Sequence, residues 1–284
     1  MSYLITKDNT QLYYKDWGSG EPVLFVHAWA MSSAFWEYAM LHLSSQGFRC
    51  IAYDRRGHGK SDDPGTGYDF DTLINDLHEL IENLELRNVV MVGHSMGGCE
   101  AINYQIKYGA LNRLSKLVLI GTPDCLLQSV DNPEGLPTDA LEQVLSVYAT
   151  DFPKWINENA EPFYLPANFN ISNEIIQWTI NMMLQTSMKA VIECQRQVFY
   201  SDKRNALPKI DIPTMVIHGD NDSSIPYKCA QQISQAISKS ILKTYAGAPH
   251  GLIISHAQQF YKDVIEFMNA NVETSSDNSN ILKR

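Results

Sequence analysis

A serine flanked by glycines is the strongest candidate for a nucleophile in this sequence. The stretch Gly93-His94-Ser95-Met96-Gly97 fits the G-x-S-x-G pattern of a nucleophile elbow. An apolar segment, NVVMV, precedes it and a helical pattern, GGCEAINYQIKYG, follows it, which is the strand-turn-helix order that the elbow requires. The glycines leave room for a sharp turn that holds Ser95 in a strained conformation with its hydroxyl outward. A serine there can instead merely cap the helix, but the order of the elements favours the nucleophile.

A serine hydroxyl reacts poorly unless a base takes its proton. The sequence offers eight histidines. We favour His250, because GAPHGL places it in a loop between the last predicted strand and the last predicted helix, level with Ser95. His256 is the nearest rival but falls within the following helical pattern, and His94 points to the other side of the elbow, which it supports. The remaining histidines fit packing or scaffold positions: His27, His42, His58, His78 and His218.

The base needs a carboxylate that fixes its tautomer and stabilises the imidazolium. HGDNDSSIP offers Asp220 and Asp222 directly after a predicted strand. Asp222 is favoured because it lies further into the loop, whereas Asp220 can cap the turn. Asp124, after the preceding strand, is a less favoured alternative. A serine, then an aspartate, then a histidine is the chain order of α/β-hydrolases rather than of chymotrypsin or subtilisin.

An oxyanion hole needs two N–H donors held in place in advance. One candidate is the backbone of Met96, the residue after the proposed nucleophile. The second is the backbone of Trp29, in His27-Ala28-Trp29 after the segment PVLFVH. The side chain of Trp29 can also fill space beneath a neighbouring helix.

The elements that must position these residues alternate between strand and helix. Two short runs, YLITKDN and QLYYKDW, predict an N-terminal hairpin. Continuous hydrophobicity is typical of strands buried on both faces of a parallel sheet. Six such runs follow: PVLFVH (22–27), FRCIAYD (48–54), NVVMVGH (88–94), LSKLVLIG (114–121), PTMVIHG (213–219) and SILKTYAG (240–247). With helical patterns between them, they predict an α/β sandwich with a mostly parallel sheet of about eight strands flanked by helices.

Residues 124–205 interrupt this alternation, because they contain helical patterns broken by five prolines and no convincing strand. We predict a core of residues 1–123 and 206–270, a helical lid (124–205) inserted after the sixth strand, and a flexible polar tail at 271–284. The lid is rich in aromatic residues and methionine, which favours an apolar substrate pocket. Four residues are predicted to line that pocket: Trp29, Trp155, Trp178 and Met182.

The amino-acid composition limits the kinds of binding partner and cofactor that we expect. The 22 Lys and Arg against 32 Asp and Glu give a net charge of −10, which argues against nucleic-acid and anionic-membrane binding. Five scattered cysteines without C-x-x-C spacing are typical of reduced thiols and predict neither disulfides nor a zinc site: Cys50, Cys99, Cys125, Cys194 and Cys229. The N-terminus lacks a signal-peptide pattern and no apolar run reaches 18 residues, so we expect a cytoplasmic protein. No metal or cofactor is predicted, and the oligomeric state is left open.

Together these motifs resemble the α/β-hydrolase superfamily. VLFVHAW, DRRGHGKSD, VGHSMGG, HGDND and APHG are more specifically similar to the arylesterase and cofactor-free haloperoxidase (perhydrolase) group. That resemblance implies a catalytic triad of Ser95, Asp222 and His250, with Met96 and Trp29 as oxyanion donors. It also implies a second activity, in which hydrogen peroxide replaces water and carboxylic acids become peracids.

One residue departs from the pattern of that group. Such hydrolases usually have glycine after the first histidine, where this chain has Ala28. If the position requires a positive φ, alanine strains the loop that carries the Trp29 donor. The loop DRRGHGKSD is interpreted as scaffold.

The predicted function is a serine hydrolase that forms an acyl-enzyme on Ser95 and cleaves small to medium hydrophobic carboxylic esters or lactones, with perhydrolysis as a side activity. An amidase or a C–C hydrolase could use the same residues. A dehalogenase or an epoxide hydrolase is disfavoured, because those enzymes carry a carboxylate at the elbow. The alternative from another class is a small-molecule receptor or signalling hydrolase with a slow triad and a lid that responds to the ligand.

Overall fold

The computed structural model describes residues 2–124 and 126–270. In this part of the chain, eight strands form one sheet in the order β1-β2-β4-β3-β5-β6-β7-β8. They are β1 (Ser2–Ile5), β2 (Gln11–Trp17), β3 (Pro22–Val26), β4 (Arg49–Tyr53), β5 (Val89–His94), β6 (Leu114–Ile120), β7 (Thr214–Gly219) and β8 (Ser240–Tyr245). β2 pairs antiparallel with β1 and β4, and every other neighbouring pair is parallel. The predicted mostly parallel sheet is confirmed.

Helices cover both faces of the sheet. The α-helices of the described residues are α1 (Glu37–Ser45), α2 (Phe70–Asn83), α3 (Met96–Tyr108), α4 (Thr138–Tyr164), α5 (Pro166–Phe169), α6 (Asn173–Met183), α7 (Met188–Tyr200), α8 (Tyr227–Ala236), α9 (Leu252–Ser255) and α10 (Ala257–Asn269). Val23 and Phe25 of β3 pack with α1 and α10, whereas Leu24 and Val26 pack with α2, α3 and α8. Since successive side chains of a strand point to opposite faces, both faces of β3 are buried, which explains its continuous apolar sequence.

The helices α4 to α7 lie between β6 and β7, and we call them the helical insertion. Leu141 of α4 and Val191 of α7 pack with Ala30 and Met96, which follow β3 and β5. The insertion therefore covers the carboxyl ends of the central strands. The division into a core and a lid at 124–205 stays a prediction.

α4 is kinked near its middle. Asp151 has φ −153° and ψ 73°, which is outside the helical region, and a proline follows two residues later, at Pro153. Asp151 Oδ1 accepts the N–H of Lys154 at 3.0 Å, as an N-cap side chain does, and Pro153 has no N–H to continue the hydrogen-bond ladder, so a second helical segment begins at the kink.

Four cysteines of the described chain are buried: Cys50, Cys99, Cys194 and Cys229. Burial raises the pKa of the Cys50 and Cys194 thiols to about 12, which disfavours the reactive thiolate. Cys125 and the predicted tail at 271–284 lie outside the described residues. Within residues 2–124 and 126–270, no helix combines the length and apolarity needed to cross a bilayer.

Candidate active site

The elbow is built at the junction of β5 and α3. β5 ends at His94, α3 begins at Met96, and Ser95 between them has φ 53° and ψ −119°. A positive φ is strained for a residue other than glycine and must be held by its surroundings. Part of that restraint is a hydrogen bond of 2.7 Å from the Ser95 N–H to the carbonyl oxygen of Ile120, on β6.

The two glycines of the elbow are required by close packing. A Cβ atom on Gly93 would lie 2.4 Å from the carbonyl oxygen of Gly97, and one on Gly97 would lie 2.2 Å from that of Val26. Both distances are well below a van der Waals contact. The pattern of the motif thus follows from how tightly α3 approaches β3 and β5.

His250 is bonded to Asp222. Its Nδ1 lies 2.6 Å from Asp222 Oδ2, and both side chains are almost fully buried. The other carboxylate oxygen, Oδ1, accepts hydrogen bonds of 2.8 Å from the N–H groups of Ser224 and Ile225. The carboxylate is therefore held on both sides.

The charge state of this pair follows from its surroundings. Burial alone would raise the pKa of Asp222, but the charge of His250 and the hydrogen bonds from His218 and His250 outweigh it and hold that pKa well below its usual range. An ionised carboxylate can only accept, so Nδ1 of His250 carries the proton. Nε2 is then left as the basic nitrogen, in a side chain that lines the same cavity as Ser95.

His218 is a neighbour of this pair that the sequence interpretation missed. It lies on β7, fully buried, with Nε2 3.3 Å from Asp222 Oδ2 and 3.0 Å from the carbonyl oxygen of Ile225. The sequence analysis placed His218 among the packing or scaffold histidines and did not connect it with Asp222. The spacing His218-x-x-x-Asp222 was the available signal, because the tight turn after β7 folds the aspartate back toward the strand end.

His94 supports the loop that carries His250 from the buried side. Its Nε2 lies 3.1 Å from the carbonyl oxygen of His250, and the two ring centroids are 4.9 Å apart. Burial, assisted by the charge of His250, lowers the pKa of His94 to about 3. A neutral imidazole that is bonded to the backbone holds the loop in place.

The other candidate carboxylates lie elsewhere. Asp220 Oδ1 accepts the N–H of Gly247 at 2.5 Å, which is a turn-capping contact. Asp124 is buried after β6, where burial and the nearby Asp202 raise its pKa to about 6. His256 lies between α9 and α10, with Nδ1 2.9 Å from Ser255 Oγ, rather than within a helix.

The loop after β3 carries the second candidate oxyanion donor. Trp29 lines the cavity, and its Nε1–H donates a 2.8 Å hydrogen bond to the carbonyl oxygen of Val191 on α7. The strain expected at Ala28 is not found, since the positive φ in this loop falls at Ala30, at 56°. Replacing the usual glycine with Ala28 therefore does not disturb Trp29 in the way that the sequence suggested.

A cavity of about 800 Å³ lies between the sheet and the helical insertion. Ser95, Asp222 and His250 all contribute to its wall. Most of the remaining wall is apolar and comes from α4, α6 and α7, including Val144, Trp155, Ile180, Met183, Val198 and Phe199. A pocket of this size and character suits a small apolar molecule.

Two of the four residues predicted to line the pocket lie outside this cavity. Trp29 and Trp155 line the cavity, but Trp178 and Met182 do not. Trp178 stacks on Phe35 at a centroid distance of 6.4 Å. The side chain of Met182, on the same helix, is buried in the hydrophobic core that also contains Phe35. Residues four apart share a helix face, and the face with 178 and 182 packs inward. The neighbouring face of α6 lines the cavity through Thr179, Ile180 and Met183.

Comparison with known proteins identifies the architecture. The family described as the alpha/beta hydrolase fold matches residues 21–257. This chain belongs to that family. It is 34% identical over 276 residues to the non-heme chloroperoxidase CPO-A1 of Kitasatospora aureofaciens, covering 95% of this chain and 100% of that protein.

Further relatives of this α/β-hydrolase include esterases. The bifunctional esterase/perhydrolase DCH of Acinetobacter calcoaceticus is 32% identical over 280 residues, covering 94% of this chain and 99% of the relative. The solved structure of the esterase EaEST from Exiguobacterium antarcticum superposes with a TM-score of 0.90 at 30% identity, covering 95% of this chain and 99% of that one. The resemblance to the esterase and haloperoxidase group is confirmed.

In this α/β-hydrolase the loop at 54–62 carries an arginine, Arg55, whose side chain links α3 to the residue that follows β3. Arg55 Nε lies 2.6 Å from Glu100 Oε1 with both side chains fully buried, and Arg55 also donates to the carbonyl oxygen of His27 at 2.7 Å. Glu100 lies on α3, which begins directly after Ser95. Because a buried charge without its partner is very unfavourable, this pair fixes α3 relative to the end of β3.

Proposed function

We propose that this protein is a serine hydrolase that cleaves carboxylic esters or lactones through an acyl-enzyme on Ser95. The observation that carries the proposal is the 2.6 Å bond between His250 and Asp222, in a cavity that also contains the elbow serine. A base that is oriented by a carboxylate and shares a cavity with a serine is the arrangement that activates a hydroxyl at neutral pH.

The reaction has four steps. Ser95 Oγ attacks the ester carbonyl while His250 Nε2 takes the hydroxyl proton. The tetrahedral intermediate collapses as His250 returns that proton to the departing alcohol, which leaves an acyl group on Ser95. Water then attacks the acyl carbonyl, again losing its proton to His250. The second intermediate releases the carboxylic acid and restores the Ser95 hydroxyl.

The negative charge that develops on the carbonyl oxygen needs donors. The backbone N–H of Met96 lies in the first turn of α3, where helical N–H groups lack internal partners and the helix end is positive. The backbone N–H of Trp29 is the second donor in this proposal. Removing one such donor typically lowers turnover by about 10²–10³.

The cavity favours a small to medium hydrophobic substrate. Its interior wall is mainly aliphatic and aromatic, and the charged pair Lys228–Glu134 lies at its exposed rim, 3.0 Å apart. The helical insertion acts here as a lid that supplies the acyl and alcohol pocket.

Hydrogen peroxide can replace water in the second half-reaction. One oxygen of peroxide would attack the acyl carbonyl on Ser95, His250 would take its proton, and the serine would leave with a peracid as product. The Acinetobacter relative, named as a bifunctional esterase/perhydrolase, supports this side activity.

Steady-state hydrolysis of p-nitrophenyl acetate and p-nitrophenyl butyrate tests the proposal, with Ser95→Ala as the matched variant. We expect multiple turnovers by the native protein and loss of that activity in the variant. Turnover that survives Ser95→Ala would refute the role of the elbow. A single burst together with a ligand-dependent melting shift would instead favour a receptor with a slow triad. Adding acetate and hydrogen peroxide to the same samples tests peracid formation.

A further inference from the structure

Two polar side chains project into the apolar cavity without partners. Tyr148 on α4 is 3% exposed, Gln195 on α7 is 9% exposed, and both line the cavity. Within residues 2–124 and 126–270, neither the Tyr148 hydroxyl nor the Gln195 amide forms a hydrogen bond. Buried polar groups are nearly always bonded, so each exception calls for an explanation.

Some other polar side chains of the cavity wall are bonded within the protein. The Tyr164 hydroxyl and Thr179 Oγ1 are 2.6 Å apart. The Asn159 amide donates to the carbonyl oxygen of Trp155 at 2.8 Å. Tyr148 and Gln195 therefore differ from these neighbours, whose polar groups already have partners.

Both side chains flank Trp29. The rings of Tyr148 and Trp29 are 5.0 Å apart, and the indole N–H of Trp29 is bonded to Val191, one turn before Gln195 on α7. Residues four apart lie on the same helix face, so Gln195 shares the face that meets Trp29. The two residues therefore line the part of the cavity next to the loop that carries a proposed oxyanion donor.

Their chemistry restricts what they can bind. A glutamine amide both donates and accepts hydrogen bonds, and so does a tyrosine hydroxyl. Burial raises the pKa of Tyr148 far above its usual value, so its hydroxyl stays neutral. A neutral donor-acceptor pair in an apolar wall suits an uncharged oxygen, because a charged group would lose its hydration without a counter-charge.

We propose that the substrate carries a second, uncharged oxygen, as a hydroxyl or ketone on its acyl chain, and that Gln195 and Tyr148 bind it. This inference rests on the proposed function and names the substrate class: esters or lactones of hydroxy or oxo acids. An unsubstituted acyl chain would leave both polar groups buried without a partner, so the site discriminates against it.

The test compares the methyl esters of hexanoic, 3-hydroxyhexanoic, 5-oxohexanoic and 6-hydroxyhexanoic acid by kcat/KM in a pH-stat. We expect the native protein to favour at least one oxygenated ester over methyl hexanoate by about tenfold or more. Tyr148→Phe and Gln195→Met, which remove the polar groups with little change in shape, should each reduce by about tenfold the ratio of kcat/KM for that oxygenated ester over methyl hexanoate. Tyr164→Phe is the control, since its hydroxyl is already bonded to Thr179, and it should leave the preference unchanged.

Thermal unfolding gives a readout that does not depend on activity. Replacing an unpartnered buried polar group by an apolar one is neutral or stabilising, so Tyr148→Phe and Gln195→Met should melt at or above the native temperature, and Tyr164→Phe below it. Equal kcat/KM on all four esters would overturn the proposed subsite, and so would a substrate preference that survives both substitutions. A clear fall in the melting temperature of both variants would also overturn it. Hydrolysis of methyl hexanoate that disappears in Ser95→Ala keeps the proposed function intact in each of these cases.

Discussion

Asp222 binds His250 through one carboxylate oxygen and the backbone through the other. Oδ2 lies 2.6 Å from His250 Nδ1, and Oδ1 accepts the N–H groups of Ser224 and Ile225. The carboxylate therefore cannot rotate without breaking backbone hydrogen bonds, and it holds the imidazole in one tautomer. Orientation of the base, more than proximity, is what this arrangement supplies.

Replacing Asp222 with asparagine should remove that orientation. An amide presents a donor as well as an acceptor, so His250 can adopt the wrong tautomer, and we expect kcat to fall by about 10⁴. Asp124→Asn is the matched control, since that carboxylate follows β6 and makes no part of the proposed triad. It should leave kcat for p-nitrophenyl butyrate within about threefold. If Asp124→Asn lost activity and Asp222→Asn kept it, Asp124 rather than Asp222 would be the carboxylate of the triad.

Asp124 should affect stability in a pH-dependent way. Its folded-state pKa is raised to about 6 from the ordinary 3.8, so between these values the folded chain binds more protons than the unfolded one. The free energy of unfolding then falls as the pH rises through this window. Asp124→Asn lacks this effect. We expect the variant to match the native protein at about pH 4 and to exceed it by on the order of 1–3 kcal/mol at about pH 8. Urea unfolding at both values measures the difference, and an equal difference at both would contradict the prediction.

Gly97 of the elbow and Gly98, the next residue of α3, should differ in how their substitution can be rescued. A Cβ on Gly98 would lie 1.9 Å from Thr122 Oγ1, whereas one on Gly97 would lie 2.2 Å from the backbone oxygen of Val26. Each alanine should cost about 1–3 kcal/mol of unfolding free energy or more. Adding Thr122→Ala should restore part of the loss in Gly98→Ala and none in Gly97→Ala. Chemical denaturation of the single and double variants decides this, and equal rescue of both would be inconsistent with these contacts.

Two tryptophans of the helical insertion should have separate effects. Trp155 lines the cavity and Trp178 packs on Phe35 outside it. Trp155→Leu enlarges the pocket, so the ratio of kcat/KM for p-nitrophenyl octanoate over butyrate should change by about tenfold or more. Trp178→Leu should lower the melting temperature and leave that ratio within about threefold. A changed ratio in Trp178→Leu alone would place the acyl pocket on the other face of α6.

The sheet was predictable because burial on both faces leaves a direct mark on sequence. Val23, Leu24 and Phe25 alternate between two cores, so no polar residue can interrupt the strand. The elbow could be located for a similar reason, since the close approach of α3 to β3 excludes any side chain at Gly97. Chain order and loop position then led to Asp222 and His250.

The remaining features depend on three-dimensional contacts that leave weak marks on sequence. Trp178 and Met182 looked equivalent to Met183, because hydrophobicity does not distinguish the helix face that packs inward from the face that lines a cavity. His218 stands near the end of β7, where a histidine gives no sign of a special role in the sequence. Only the turn after β7 brings Asp222 close to it. The positive φ at Ala30 instead of Ala28 is a property of one loop conformation.

The end of α4 is tied to the loop of the proposed base. The N–H of Gly251 donates a 2.8 Å hydrogen bond to the carbonyl oxygen of Phe163, and the Phe163 ring lies edge-on to His250 at a centroid distance of 5.4 Å. If the insertion moved away from the sheet at this end, His250 would lose both its neighbouring ring and the anchor of its loop. A substrate that entered here would therefore displace His250 from its position as the proposed base for as long as the entrance was open. Entry past the exposed Glu134–Lys228 pair would leave the loop and the ring beside His250 undisturbed.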